Sequence, residues 1–224
     1  MMTSHQDSGV TCRKRDKVSG FSMVEILVAI GMLSILVALL VPSGLNLLRA
    51  SRTTECIGNY KTLHTGLVQY AGDHGGFYPA PMENTLPSGA KGSWTMALMM
   101  GDYVGFRAVS ANVKNPFLCP EARRTYSDGL ARRTYGLNTL PSTITQPVSV
   151  YQLRSPAQTI LVADCIQSAD LGEHDAIFYF RSASLNRIEE RHGGMFQALF
   201  ADGHVELLKK SDPKTTQYID NLSQ

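Results

Sequence analysis

The sequence predicts an α+β fold: a long N-terminal helical spine, one half transmembrane and the other amphipathic, packed on a small antiparallel-sheet head. Three observations predict it. An apolar run fills residues 21–41, an apolar stripe at helical spacing follows over residues 45–71, and the C-terminal third holds short β-branched and aromatic runs separated by turn residues. A chain of 224 residues has room for one globular domain beside such a segment. The expected divisions are a basic segment at 1–20, the apolar helix at 21–42, the amphipathic half of the spine at 43–76 and the head at 77–224.

Charge is concentrated at the start of the chain. Residues 1–20 carry Arg13, Lys14, Arg15 and Lys17 against Asp7 and Asp16. Lys and Arg total 21 and Asp and Glu 19; setting those six aside leaves 17 of each sign. A balanced body lacks the positive field of a nucleic-acid binder, so no nucleic-acid partner is expected. The cysteines are Cys12, Cys56, Cys119 and Cys165, with no CxxC pair, so no zinc site is expected. Loss of residues 1–20 would leave three, enough for one intrachain disulfide.

The apolar run reads FSMVEILVAIGMLSILVALLV and contains one charge, Glu25. Its length suits a helix crossing a bilayer, and the basic cluster ahead of it keeps residues 1–20 cytoplasmic and sends the chain after Val41 outside. A secretory signal is cut after its apolar core at small residues, and no such site follows here. The informative residues precede the run: Ser19-Gly20-Phe21-Ser22-Met23-Val24-Glu25. This stretch resembles the precursors of type IV pilins and type II secretion pseudopilins, with a basic leader ending in Gly, then an aromatic residue, then Glu at the fifth mature position. The resemblance implies cleavage between Gly20 and Phe21 by a prepilin peptidase and N-methylation of Phe21. It further implies an inner-membrane assembly platform as partner and other copies or related pilins packing through residues 21–41. The localisation implied is single-pass inner membrane, with the head periplasmic or extracellular, and a filament after processing.

A carboxylate in a membrane segment is costly unless it finds a partner. Cleavage after Gly20 frees an amine one helical turn before Glu25, and the amine of an incoming subunit can neutralise a neighbour's Glu25 and fix the axial register. The alternative is a plain anchor whose Glu reaches the interface by snorkelling. Pro42 resembles the proline in the apolar half of pilin helices; it either loosens the helix there or ends it.

Beyond Gly44, Cys56, Tyr60, Leu63, Leu67 and Tyr70 alternate at spacings of four and three, with Arg49, Arg52, Glu55 and Lys61 off that stripe. The glycines of Ala71-Gly72-Asp73-His74-Gly75-Gly76 suit a helix C-cap. The head opens with Phe77-Tyr78-Pro79-Ala80-Pro81, and a short helix is expected near 93–100 with Trp94 and Leu98 on one face. Strands are expected at 159–166, 176–181, 195–201 and 204–209, the last two joined by an Asp202-Gly203 hairpin pairing Phe200 with Val205 and Ala198 with Leu207. His192, nine further residues and Asp202-Gly203 resemble the C-terminal H-X9-DG element of prepilin-like proteins. Phe117-Leu118-Cys119-Pro120 and Tyr135-Gly136-Leu137-Asn138 are similar patches.

His192, Asp202, His204 and Asp164 could be assembled into a metal cluster, with calcium the cation to consider. Calcium wants mostly oxygen ligands, though, and Asp202 is explained by the turn, so no metal or other cofactor is expected. No GxSxG or other nucleophile context accompanies His192 and Asp164, so no catalysis is expected. Cys56 and Cys119 are a candidate disulfide pinning spine to head in an oxidising compartment, with Cys165 a core residue. The function expected is a structural subunit of a pilus or secretion pseudopilus. Its rival is a monomeric membrane-anchored binding or sensor module that uses the signal for targeting alone.

Overall fold

A computed structural model describes residues 22–106, 115–122, 133–139, 143–166 and 179–221, with the side chains of 39–50 outside the description. The chain divides into two compact units, Met1–Leu47 and Leu48–Gln224. Helix α1 is assigned without a break over Met23–Asp73, so Pro42 lies within it and does not end it. In the first unit, side chains at 22–38 are exposed throughout.

In the second unit the predicted stripe becomes the core. Cys56, Tyr60, Leu63 and Leu67 are fully buried and Tyr70 nearly so. The helix ends where its glycines predict: Gly75 takes φ +66°, and the Gly76 amide donates to the Ala71 carbonyl at 2.8 Å. A two-residue hairpin, β1 (Asn84–Thr85) and β2 (Lys91–Gly92), leads into α2 (Trp94–Met100). Trp94 and Leu98 are fully buried, and the Trp94 ring meets Phe117 edge-on at 6.0 Å.

The sheet is ordered β5-β3-β4-β6-β7, from β3 (Tyr135–Asn138), β4 (Ile160–Asp164), β5 (Tyr179–Phe180), β6 (Phe196–Phe200) and β7 (Val205–Leu208). It is mixed, not purely antiparallel as expected, because β5 runs parallel to β3. Strand β4 has β3 on one side and β6 on the other, and β5 lies at the outer edge of β3. Residues 176–178 of the strand expected at 176–181 lie outside the described residues.

Both faces of the sheet are buried. Tyr135, Leu137, Leu161, Val162 and Leu199 pack with the α1 stripe, α2 and Phe117. Ile160, Ala163, Phe180, Phe196, Ala198, Phe200 and Leu208 form a second cluster with Ile188 and with Ile219 of helix α3 (Pro213–Asp220). A register shift between Ile160 and Val162 places the consecutive Leu161 and Val162 in one cluster. Helix α3 was not expected, although its start follows the rules: Asp212 accepts the Lys214 amide at 2.9 Å and Pro213 occupies the first turn.

The β6–β7 register corrects the sequence expectation by one residue. Leu199 pairs with Val205 and Ala198 with Glu206, and the Phe200 amide donates to the His204 carbonyl at 2.9 Å. The connection is therefore a three-residue loop, Ala201-Asp202-Gly203, with Gly203 at φ +89°, and not a two-residue turn. One extra loop residue sets Phe200 opposite His204, whose rings stack at 4.1 Å.

This turn seats on α1. Lys61 Nζ donates to the Gly203 carbonyl at 2.6 Å, and the His64 ring lies 3.1 Å from the Ala201 carbonyl. A Cβ on Gly203 would stand 2.7 Å from the His64 ring, whereas one on Gly193, also at positive φ (+68°), would meet nothing within 4 Å. Gly203→Ala should therefore destabilise the head by about 2–4 kcal/mol and Gly193→Ala by about 1 kcal/mol. Urea denaturation of the full-length chain in detergent checks the contrast, and equal losses would show that the turn does not depend on its seat against His64.

Candidate functional site

Two regions carry chemistry: the start of α1 and a buried polar cluster in the head. Gly20 and Phe21, the expected cleavage and methylation residues, lie outside the described residues. The helix opens immediately after them. The Ser22 amide donates to Glu25 Oε2 at 2.8 Å, and the Ile26 amide to the Ser22 carbonyl at 3.2 Å. Glu25 thus reaches back to the amide at the helix start, the carboxylate half of a capping box. Cleavage after Gly20 would leave that amide intact. The residues that follow are apolar on every side and uncovered, from Met23 (82% exposed) to Ile35 (64%). Ser34 is the polar exception, and its hydroxyl donates to the Ile30 carbonyl. Among the described residues, no helix is long and apolar enough to cross a membrane. The run whose side chains are described, 22–38, falls short of the roughly 20 residues a span requires.

In the head, four chain segments converge on one buried cluster. The α1 stripe supplies Cys56, the 115–122 segment Cys119, the end of β4 Asp164, and the turn before β6 Arg191 and His192. The Cys56 and Cys119 sulfurs stand 2.6 Å apart. His192 Nε2 lies 3.4 Å from Cys119 Sγ and 3.2 Å from Asp164 Oδ2. Asp164 also accepts the Gln197 amide at 2.9 Å and faces Arg191 at 3.6 Å.

Local structure holds each group in place. Thr134 anchors the Cys119 segment: its hydroxyl accepts the Cys119 amide at 2.8 Å and its own amide donates to the Phe117 carbonyl. Asn59 of α1 donates to the Leu118 carbonyl at 2.9 Å. Gly193 and Gly194, both at positive φ, turn the chain so that the His192 amide meets the Met195 carbonyl while its ring enters the core.

Burial alone would push the Cys119 thiol up. The hydrogen bond from Cys56, aided by His192 and Arg191, brings it instead down to about 6 against the opposing charge of Asp164. Burial would likewise lower His192, but the hydrogen bonds to Asp164 and Cys119 raise it to about 10. Cys56, donating to its partner, is pushed far up by that bond and by burial. In the reduced cluster these shifts favour a Cys119 thiolate beside a His192 imidazolium.

The four residues considered for a metal separate into two pairs. Asp164 and His192 meet in the buried cluster. Asp202 and His204 meet at the β6–β7 turn, partly exposed, where Asp202 accepts from the His204 amide and ring and is held below its ordinary value despite partial burial. A different set, Cys56, Cys119 and His192, offers donor atoms within 4.8 Å of one another. These are zinc-type ligands, although two thiolates on one tetrahedral zinc stand roughly 3.8 Å apart, well beyond the 2.6 Å here. Sequence spacing could not reveal this set, whose members lie on three separate segments. Arg191 carried no signal either beyond its place beside His192.

The ionised pair sets a pH window for the reduced protein. The lowered Cys119 contributes stability that is lost as pH falls through about 6, and the raised His192 contributes stability that is lost as pH rises through about 10. Thermal melts of the reduced full-length chain should show a plateau between these limits and a fall on either side. In His192→Gln the fall above about 10 should disappear, and an unchanged profile would contradict the ion pair.

The chain matches the family model of the prokaryotic N-terminal methylation motif over residues 15–41. No curated protein and no solved structure matches it. The chain therefore carries a prepilin-type signal, that of type IV pilin-like proteins, spanning the expected cleavage point after Gly20 and the Glu25 that follows it.

Proposed function

We propose that this chain is a structural prepilin-like subunit, inserted in the inner membrane, cut after Gly20 by a prepilin peptidase and assembled into a pilus or type II secretion pseudopilus. One observation carries this reading: the methylation motif at 15–41 spans the start of a helix whose described side chains, at 22–38, are mostly apolar and all uncovered. A monomeric soluble protein rarely leaves such a surface open, and lipid before assembly and neighbouring helices after it would both cover it. The resemblance of His192 to Gly203 to the H-X9-DG element of prepilin-like proteins supports the same family. Residues 21–41 would cross the membrane before assembly, with the basic leader cytoplasmic and the head outside. The chain has no catalysis of its own in this reading.

Glu25 would set the register. In the single chain one of its oxygens holds the Ser22 amide. A carboxylate has about four acceptor sites, so the same group can also receive the methylated amine of a neighbour's Phe21. The pair would be desolvated among apolar helices, where removing one partner costs several kcal/mol. Glu25→Leu should leave cleavage intact and reduce sedimentable filament at least tenfold, with processed monomer accumulating in the membrane. Filaments at wild-type yield in Glu25→Leu would overturn the assembly role and favour an anchored monomer.

A further inference from the structure

We propose that Cys56 and Cys119 close to a disulfide that locks the second half of α1 to the head, with Cys119 the attacking sulfur and His192 the residue that tunes how readily the bond is reduced. The inference rests on the proposed export of the head to an oxidising compartment. Its structural basis is independent of that reading. The two sulfurs belong to segments far apart in sequence, are fully buried, and meet at 2.6 Å. That separation is nearer the roughly 2.05 Å of a disulfide than the edge of a dithiolate metal site. Hydrogen bonds hold both backbones in register, from Asn59 to the Leu118 carbonyl and from the Cys119 amide to Thr134.

The third head cysteine is excluded by its surroundings. Cys165 is buried in the second core cluster with Ile160, Phe180 and Phe196, whereas Cys56 and Cys119 belong to the first. Among the described residues, Cys119 has the His192 imidazole 3.4 Å from its sulfur, with Asp164 aligning that ring. An exogenous disulfide, low-molecular-weight or protein-borne, would serve as oxidant. The Cys119 thiolate attacks one of its sulfurs and expels a thiolate. The Cys56 sulfur then displaces the second at the mixed disulfide. Two electrons pass to the oxidant, and the protons released by Cys56 and by the His192 imidazolium end on the two departing thiols. Because both sulfurs are buried, exchange precedes the seating of α1 on the head, and the finished bond is shielded.

His192 favours the reduced state, because it stabilises the Cys119 thiolate and the uncharged sulfur of a closed bond gives it no such charge to stabilise. The bond should therefore be more easily reduced than one in neutral surroundings.

The test uses the full-length chain in detergent, reduced, refolded in glutathione buffers of stepped poise, alkylated and peptide-mapped, with metal content measured in parallel. The expected result is one bond joining Cys56 and Cys119, Cys165 alkylated, and a melting temperature lower by roughly 10 °C after reduction. His192→Gln should shift the equilibrium about tenfold toward the disulfide, near 30 mV. Alkylation of both cysteines in excess glutathione disulfide, a bond through Cys165, or one retained zinc per chain would each overturn the pairing. An unchanged midpoint in His192→Gln would overturn the tuning role. If the bond forms in these buffers but the thiols are reduced in cells, the pairing stands and the export reading fails.

Discussion

The head is organised around one face of α1, where Cys56, Tyr60, Leu63, Leu67 and Tyr70 lie buried against the sheet. Each large apolar side chain removed from water contributes on the order of 2 kcal/mol, and the face is continuous over about four helical turns. Polar bonds fix the register of that burial. Tyr60 donates to the Gln197 carbonyl at the start of β6, Asn59 to Leu118, and Lys61 to the β6–β7 turn. Strand, loop and hairpin are thus each tied to the same helix. The sheet's opposite face is closed by Ile188 and α3, which leaves β6 buried on both sides.

The same helix carries the opposite situation in its first unit, where the apolar side chains at 22–38 have no cover. Polarity explains the difference. The 51–73 segment buries apolar groups on one face and carries its charges elsewhere, so one packed partner satisfies it. The 22–38 segment is apolar all round and must be enclosed on all sides, which lipid or a bundle of like helices does. A lone carboxylate in such a surface has a sharp consequence: it is costly unless paired, so assembly can be made to depend on supplying its partner.

Much of this architecture is legible in the sequence. The alternating four-three spacing from Cys56 to Tyr70 identified the buried face residue by residue, because a helix buries what its period aligns. The glycine cluster marked the helix end, and four strands were placed near their observed positions. What was missed depended on non-local geometry. The hairpin register slipped by one because Asp-Gly fits both a two-residue turn and the last two positions of a three-residue loop, and the seat on His64 and Lys61 accompanies the longer one. The parallel pairing of β5 with β3 joins segments about 40 residues apart, which no local pattern specifies. The Cys119–His192–Asp164 contacts were invisible because their partners lie on separate segments and no spacing rule connects them. For the cysteine pair the sequence offers only compartment and count.

The central claim is that the apolar helix is a processed assembly surface, and it is tested most directly by the N-terminal mass of the mature chain purified from its native cell envelope. The account predicts a chain beginning at N-methyl-Phe21. A chain that retains residues 1–20, or one cut beyond Val41, would contradict it, since the first lacks the free amine that Glu25 requires and the second lacks the helix itself.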